Sequence, residues 1–213
     1  CSETILRYYK DKIEDFIKSF ILQELDSPIP IIREKACSFI VEFRNLKYQN
    51  IDIVKTITKQ TCKIISSDQF LPVKIYGALA AADMIMYEPA KELLRGNIGN
   101  LLSIFLKLVE ETDIDEIIDS LQSIVKEFKD ESKVYIVQLC DYLSKYFDKL
   151  IEKEEDNENQ IEKESLVQSI INTLIEIIHT FGSNDEIFSQ ILVYIDKIIS
   201  YCLSSNEICD KLE

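Results

Sequence analysis

A single histidine, six cysteines and a dense run of carboxylates are the side chains of this 213-residue sequence whose types could do chemistry. His179 would act as a general acid or base only beside a nucleophile or a second titrating group. It lies instead among Ile177, Ile178 and Phe181, with no serine or cysteine nucleophile placed by spacing, which points to core packing or plain exposure. The cysteines Cys1, Cys37, Cys62, Cys140, Cys202 and Cys209 contain no Cys-x-x-Cys pair. Cys202 and Cys209 would share one helical face if a helix runs through both, but two further ligands for a tetrahedral metal site are missing nearby. With no glycine-rich phosphate loop and no paired catalytic carboxylate motif, neither a metal nor a cofactor is expected, and the chain reads as a protein that is not an enzyme. Scattered thiols in a chain without a signal-type apolar segment suit a reducing compartment.

The carboxylate run offers binding chemistry instead. Glu152, Glu154, Glu155, Asp156, Glu158, Glu162 and Glu164 crowd into residues 152–164 against only Lys153 and Lys163. Such a loop can grip the lysines and arginines of a basic protein through long-range attraction and charge-assisted hydrogen bonds. The competing reading is a solvated connector, since like-charged runs commonly stay hydrated and bind nothing. The whole chain leans the same way, with 38 acidic against 24 basic residues and a formal charge of −14. That field repels a polyanion, so direct nucleic-acid binding is not expected, and it raises the encounter rate with basic proteins. Every long apolar run is broken by Asp, Glu or Lys short of the roughly 18 residues a membrane span requires, so no membrane association is expected.

The elements that must position these groups are helices. Only four glycines and four prolines interrupt a chain rich in Ile, Leu, Lys and Glu. Ile5, Leu6, Tyr9, Ile13, Phe16, Ile17 and Phe20 recur at helical spacing and predict one long helix from Glu3 to about Leu25. It stops at Asp26-Ser27-Pro28, and Pro30 opens a helix to about Asn45. Further helices are predicted over Ile51–Ser66, Pro72–Tyr87 and from Leu101 to near Glu111. Pro89 and the stretch Gly96–Gly99 are read as a break. Thr112-Asp113-Ile114-Asp115 is read as the cap of a helix reaching Phe128, and three more run over Val134–Ile151, Ser165–Phe181 and Asp185–Ser204. Nine helices and no strands are expected. Most of the aromatic residues on these stripes, Phe16, Phe20, Phe39, Phe43, Phe105, Phe128, Tyr142, Tyr146 and Phe147, are read as core.

The helices repeat. Asp26, Pro30, Ala36 and Phe43 stand 42 residues before Asp68, Pro72, Ala78 and Ile85. Asp115, Leu121 and Phe128 follow Pro72, Ala78 and Ile85 at 43, with neither the proline nor the small residue kept. A two-helix period of this size marks an α-solenoid, whose units bury their apolar faces only by stacking. The expected fold is all-α, a right-handed superhelix of antiparallel helix pairs forming a single array over residues 1–213. Its approximate repeats are 1–45, 51–87, 97–130 and 133–181, with 185–204 as the first helix of the next and an acidic loop at 152–164. The chain opens on Cys1 and closes in mid-pattern at Glu213, and a piece of a longer protein is expected.

The run from Pro72 through Val73, Lys74, Ile75, Tyr76, Gly77, Ala78, Leu79, Ala80 and Ala81 to Ala82 resembles the second helix of a HEAT repeat. A closer resemblance, from about Pro30 to Tyr201, is carried by ordered segments. These are Ile40-Val41-Glu42-Phe43, Leu71-Pro72-Val73-Lys74, Leu108-Val109-Glu110-Glu111-Thr112-Asp113, Ile124-Val125-Lys126-Glu127-Phe128 and Ile170-Ile171-Asn172-Thr173-Leu174. By these the chain resembles the central part of the importin-β (karyopherin-β) receptors, nearest the branch of importins seven and eight. The resemblance implies a nuclear transport receptor that binds basic cargo of the ribosomal-protein or histone class for import and shuttles between cytoplasm and nucleus. It implies Ran GTPase as a partner through the full-length receptor, and nucleoporin Phe-Gly repeats as partners in grooves between outer helices. HEAT proteins also place a basic residue where Lys74 stands, which would pair with Asp68 or Asp113 in a polar ladder between repeats; a share in cargo binding is the other role open to it. At the level of fold alone a HEAT scaffold assembling a multi-subunit complex is the alternative.

Overall fold

A computed structural model of the chain describes residues 12–152 and 160–204. Among them every regular element is helical and there is no strand. They divide into two compact units, the first ending at Phe105 and the second beginning at Leu106.

The first unit holds α1 (residues 12–26), α2 (Pro30–Glu42), α3 (Ile51–Ser67), α4 (Leu71–Met84), the short α5 (Glu88–Leu94) and the opening turns of α6 (Ile98–Thr112). Pro30 is the first residue of α2 and Pro72 the second of α4, positions whose backbone N–H has no partner inside a helix. Asn50 caps α3 by accepting the N–H of Asp52 at 2.9 Å. α3 and α4 are joined by a three-residue turn and pack on each other, an antiparallel pair, and α2 packs against α4. The alanine-rich stretch makes this closeness possible. Ala78, Ala80 and Ala81 are buried, and a Cβ at Gly77 would lie 2.7 Å from Cγ2 of Ile64 on α3. The core around them is aliphatic, with Ile17, Ile40, Ile53, Ile57 and Met84 sealed from solvent.

In the second unit the rest of α6 is followed by α7 (Asp115–Glu127), the short α8 (Lys129–Ser132), α9 (Ile136–Glu152), α10 (Gln160–Phe181) and α11 (Asp185–Ser204). α7 packs along α10, α9 along α11 and also against α10. Leu121, Leu143, Phe147, Ile170 and Ile177 are buried there. Between α10 and α11 the chain turns at Gly182, whose N–H reaches the Ile178 carbonyl at 2.7 Å; a Cβ would sit 2.5 Å from that oxygen. Asn184 then caps α11 by accepting the N–H of Ile187.

Each of the nine expected helices has its counterpart among the described residues, and α5 and α8 come in addition. Pro89, read as a break, is the second residue of α5, and Gly99 lies inside α6, because a proline in the first turn starts a helix as readily as it ends one. α1 departs from regular winding, passing into π geometry over Ile17–Ile21 and 3-10 geometry over Leu22–Asp26 as it tightens toward Pro28. Asp113 does not cap α7 but adopts a left-handed backbone with φ 50°, which aspartate tolerates better than most residues. No described helix is long and apolar enough to cross a membrane.

Candidate functional site

Glu152 is the exposed last residue of α9. Glu154, Glu155, Asp156 and Glu158 lie outside the described residues. Glu162 belongs to α10, its side chain outside the description, and Glu164 is exposed on the same helix. The connection is therefore shorter than the 152–164 expected, since α10 already begins at Gln160. Glu162, Lys163 and Glu164 are good helix formers, and carboxylates in a first turn meet the positive end of the helix dipole.

The acidic turns of the repeat carry the best-defined polar geometry. Asp26 accepts Lys63 Nζ at 2.7 Å and Gln60 Nε2 at 2.6 Å, tying the end of α1 to α3. Asp68, between α3 and α4, accepts Arg33 Nε at 2.7 Å through one oxygen and the Phe70 N–H at 3.0 Å through the other. A second guanidinium nitrogen of Arg33 donates to the Ser27 carbonyl at 2.7 Å, so one planar fork closes two turns. The two side chains keep only 16% and 5% of their exposure. Burial opposes ionisation of Asp68, but the hydrogen bond from Arg33, the Phe70 amide and the Arg33 charge outweigh it and hold the carboxyl below its ordinary range.

That pairing corrects the expectation for Lys74. Lys74 is half-buried on α4 and does not join Asp68; the cation on Asp68 is Arg33, in the first turn of α2, while in the second unit Asp113 takes the hydroxyl of Tyr146. A guanidinium reaches the carboxylate and the Ser27 carbonyl at once, which a single ammonium on α4 does not. Asp115 accepts the hydroxyl of Ser165 on α10. Hydrogen bonding to Glu116 and Ser165 holds Asp115 low, while its Glu116 neighbour is raised. Ala36 and Ala78 are buried, as close-packing positions require.

The first unit also carries a groove where α3 faces α5 and the start of α6, with a volume of about 240 Å³. Ile65, Leu94, Leu101 and Ile104 form its apolar wall; Cys62 and Ser66 on α3 and Asn97 and Asn100 across from it are its polar edges. Burial pushes the Cys62 thiol up to about 11, and the buried Cys37 and Cys140 up to about 12, so all three are poor nucleophiles. His179 is exposed near the end of α10.

No family model matches the chain, and no solved structure matches it. Among curated proteins it is 25% identical to importin-8 of Danio rerio over 186 residues, which is 87% of the chain and 18% of that protein. It is 27% identical to the probable importin-7 homolog of Dictyostelium discoideum over 150 residues, or 70% of the chain and 14% of that protein. With importin-8 of Homo sapiens the identity is 24% over 201 residues, 94% of the chain and 19% of that protein. These matches fit an importin-β family fragment. The chain spans less than a fifth of the length of these relatives. The described helices pack in pairs with no strand among them, as a HEAT-repeat helical solenoid requires.

Sequence reasoning missed Arg33 and Asp83. Asp83 stands half-buried on α4 with one carboxylate oxygen lacking a hydrogen-bond partner. Burial pushes it up to about 6 against the opposing charge of Arg44. Its signal in the sequence was a lone acid in the otherwise apolar second half of α4. Tyr48 and Tyr87 pack edge to face at 5.7 Å, and the Tyr87 hydroxyl donates to the Leu46 carbonyl at 2.7 Å. Among the aromatic residues read as core, Phe43, Phe105, Phe128, Tyr146 and Phe147 are buried, whereas Phe16 and Phe20 are 44% and 56% exposed.

Proposed function

We propose that this chain is part of a nuclear transport receptor that binds basic protein cargo of the ribosomal-protein or histone class. Import would run under Ran control, with Ran engaged through the full-length receptor and the whole protein shuttling between cytoplasm and nucleus. The observation that carries this reading is the run of importin-7 and importin-8 relatives aligned over 70% to 94% of the chain. The charge of −14 supports the cargo class, because it favours encounter with basic proteins and penalises acidic ones. Glu152, Glu154, Glu155, Asp156, Glu158, Glu162 and Glu164 are the proposed cargo contacts, and the HEAT pairs hold the two ends of that run. The repeat positions Asp26, Pro30, Ala36, Asp68, Pro72 and Ala78 are proposed to maintain repeat stacking and not to touch cargo.

The groove beside α3 is proposed to accept the phenylalanine of a nucleoporin Phe-Gly repeat. Its about 240 Å³ is smaller than the roughly 300–1,000 Å³ of small-molecule sites and suits one bulky side chain. Calorimetric titration of the chain with a basic ribosomal protein and a core histone, against an acidic control, tests the cargo reading. Binding at micromolar strength or tighter that weakens as salt rises is expected. Absence of binding at low salt, or equal binding of the acidic control, would instead favour a HEAT scaffold.

A further inference from the structure

The groove beside α3 offers a cation where the chain as a whole is acidic. Lys59 is the one charged residue among those lining it. Lys55, Lys59 and Lys63 recur every four residues on α3 and so share a face. Lys63 is engaged by Asp26 at 2.7 Å, while Lys55 and Lys59 form no ion pair with any described residue. Opposite them, α5 and the residues up to Asn97 add Lys91 and Arg95, both within 4 Å of Glu88. The first two turns of α6 carry no charge. With Asp26 on Lys63 and Glu88 within 4 Å of both Lys91 and Arg95, Lys55 and Lys59 are left as the cations of this face that no described carboxylate pairs, in a protein of net charge −14.

We propose that this groove takes a bulky apolar side chain from an acidic peptide segment, with Lys59 and Lys55 engaging Asp or Glu beside it. The proposal rests on the reading of the groove as a pocket for one apolar side chain and adds the charge of the segment that delivers it. The apolar side chain enters between Ile65, Leu94, Leu101 and Ile104, which supplies the non-directional part of the affinity. The amides of Asn97 and Asn100, both exposed at the rim, serve the peptide backbone. Lys59 is exposed and Lys55 half-buried. They steer and select by charge and do not form a rigid clamp. A basic segment carrying the same apolar residue is repelled here, although the protein's overall field attracts it. The groove and the acidic run therefore select opposite partners.

The test is a titration of the chain, labelled at Ile and Leu methyl groups, with three short peptides. One carries Phe flanked by Glu, the second has Gln for each Glu, and the third has Ala for Phe. The acidic Phe peptide is expected to shift the methyls of Ile65, Leu94, Leu101 and Ile104 with an affinity at least about fivefold above the Gln peptide. That gap should close in high salt and in a Lys55→Gln, Lys59→Gln variant, and the Ala peptide should leave the methyls unmoved. Equal affinity of the Glu and Gln peptides overturns the proposal and leaves the pocket reading standing. If neither Phe peptide moves these methyls, or if Asn100→Trp at the rim leaves binding unchanged, the pocket reading falls and the proposal with it.

Discussion

In the first unit the acidic turn before α4 is tied by a guanidinium, whereas in the second the turn before α7 is tied by two hydroxyls. Arg33 holds Asp68 across 35 residues of sequence with an ion pair that is largely withdrawn from water. Tyr146 and Ser165 hold Asp113 and Asp115 from α9 and α10 without bringing a charge of their own. The aspartates of both turns take a donor, and each finds it on whichever helix lies within reach. Full charge pairing makes the first turn sensitive to the loss of either partner, because the survivor is left charged in a dry site. A carboxylate that has lost a hydroxyl in a more exposed turn can turn to water instead.

The largest effect expected from this difference is in Arg33→Leu, which should destabilise the first unit by about 2–3 kcal/mol. Hydrogen exchange at the amides opening α4 would read it, and a loss no greater than that of an exposed ion pair would break the comparison. The same pair sets an acid limit. Because Asp68 is held below its ordinary range, its contribution is present above the unfolded carboxylate pKa near 4 and fades as pH falls through the lower folded value. Unfolding midpoints followed below pH 4 should decline more steeply in the parent protein than in Arg33→Leu.

Asp83 should act in the opposite sense. Its folded value, raised to about 6, means that its protonated form is favoured in the native state, so that contribution is full below pH 4 and lost as pH rises through 6. Asp83→Asn is expected to stabilise the first unit on the order of 1 kcal/mol at pH 7.5 and to have little effect at about pH 3.5. A stabilisation equal at both pH values would remove burial of charge as the cause. In the second unit Tyr146→Phe should cost about 1 kcal/mol, and Ser165→Ala the same or less. Should Tyr146→Phe equal Arg33→Leu, the two kinds of tie are energetically alike. Smallest of all, Lys63→Ala should change stability by no more than about 0.5 kcal/mol, since both partners are well exposed, and salt should erase the difference.

The helix pairs were legible because their signals are local. Pro30 and Pro72 sit where a helix must start, and Ala78 and its neighbours mark where two helices come close. Asp26 and Asp68 were legible as repeating positions, but their partners were not. Which cation reaches Asp68 depends on how α2 lies against α4, and that choice went to Arg33 on the earlier helix and away from Lys74. α5 was hidden because Pro89 carries the same identity at a break and at a second helical position. The acidic run was read too long because glutamate and lysine serve a solvated loop and a helical first turn equally well. The groove beside α3 could not be read at all, since Ile65, Leu94 and Ile104 look like any core residue until the helices are in place.

The central proposal is that this helical segment holds basic partners by its acidic run. The measurement that tests it most directly compares the chain with a variant in which Glu154, Glu155, Asp156 and Glu158 are replaced by serine, each titrated with the same basic ribosomal protein over a salt series. A weaker affinity for the variant, with a shallower dependence on salt, is predicted. Identical affinity and identical salt dependence in the two proteins would contradict the claim and make the acidic run a solvated connector between α9 and α10.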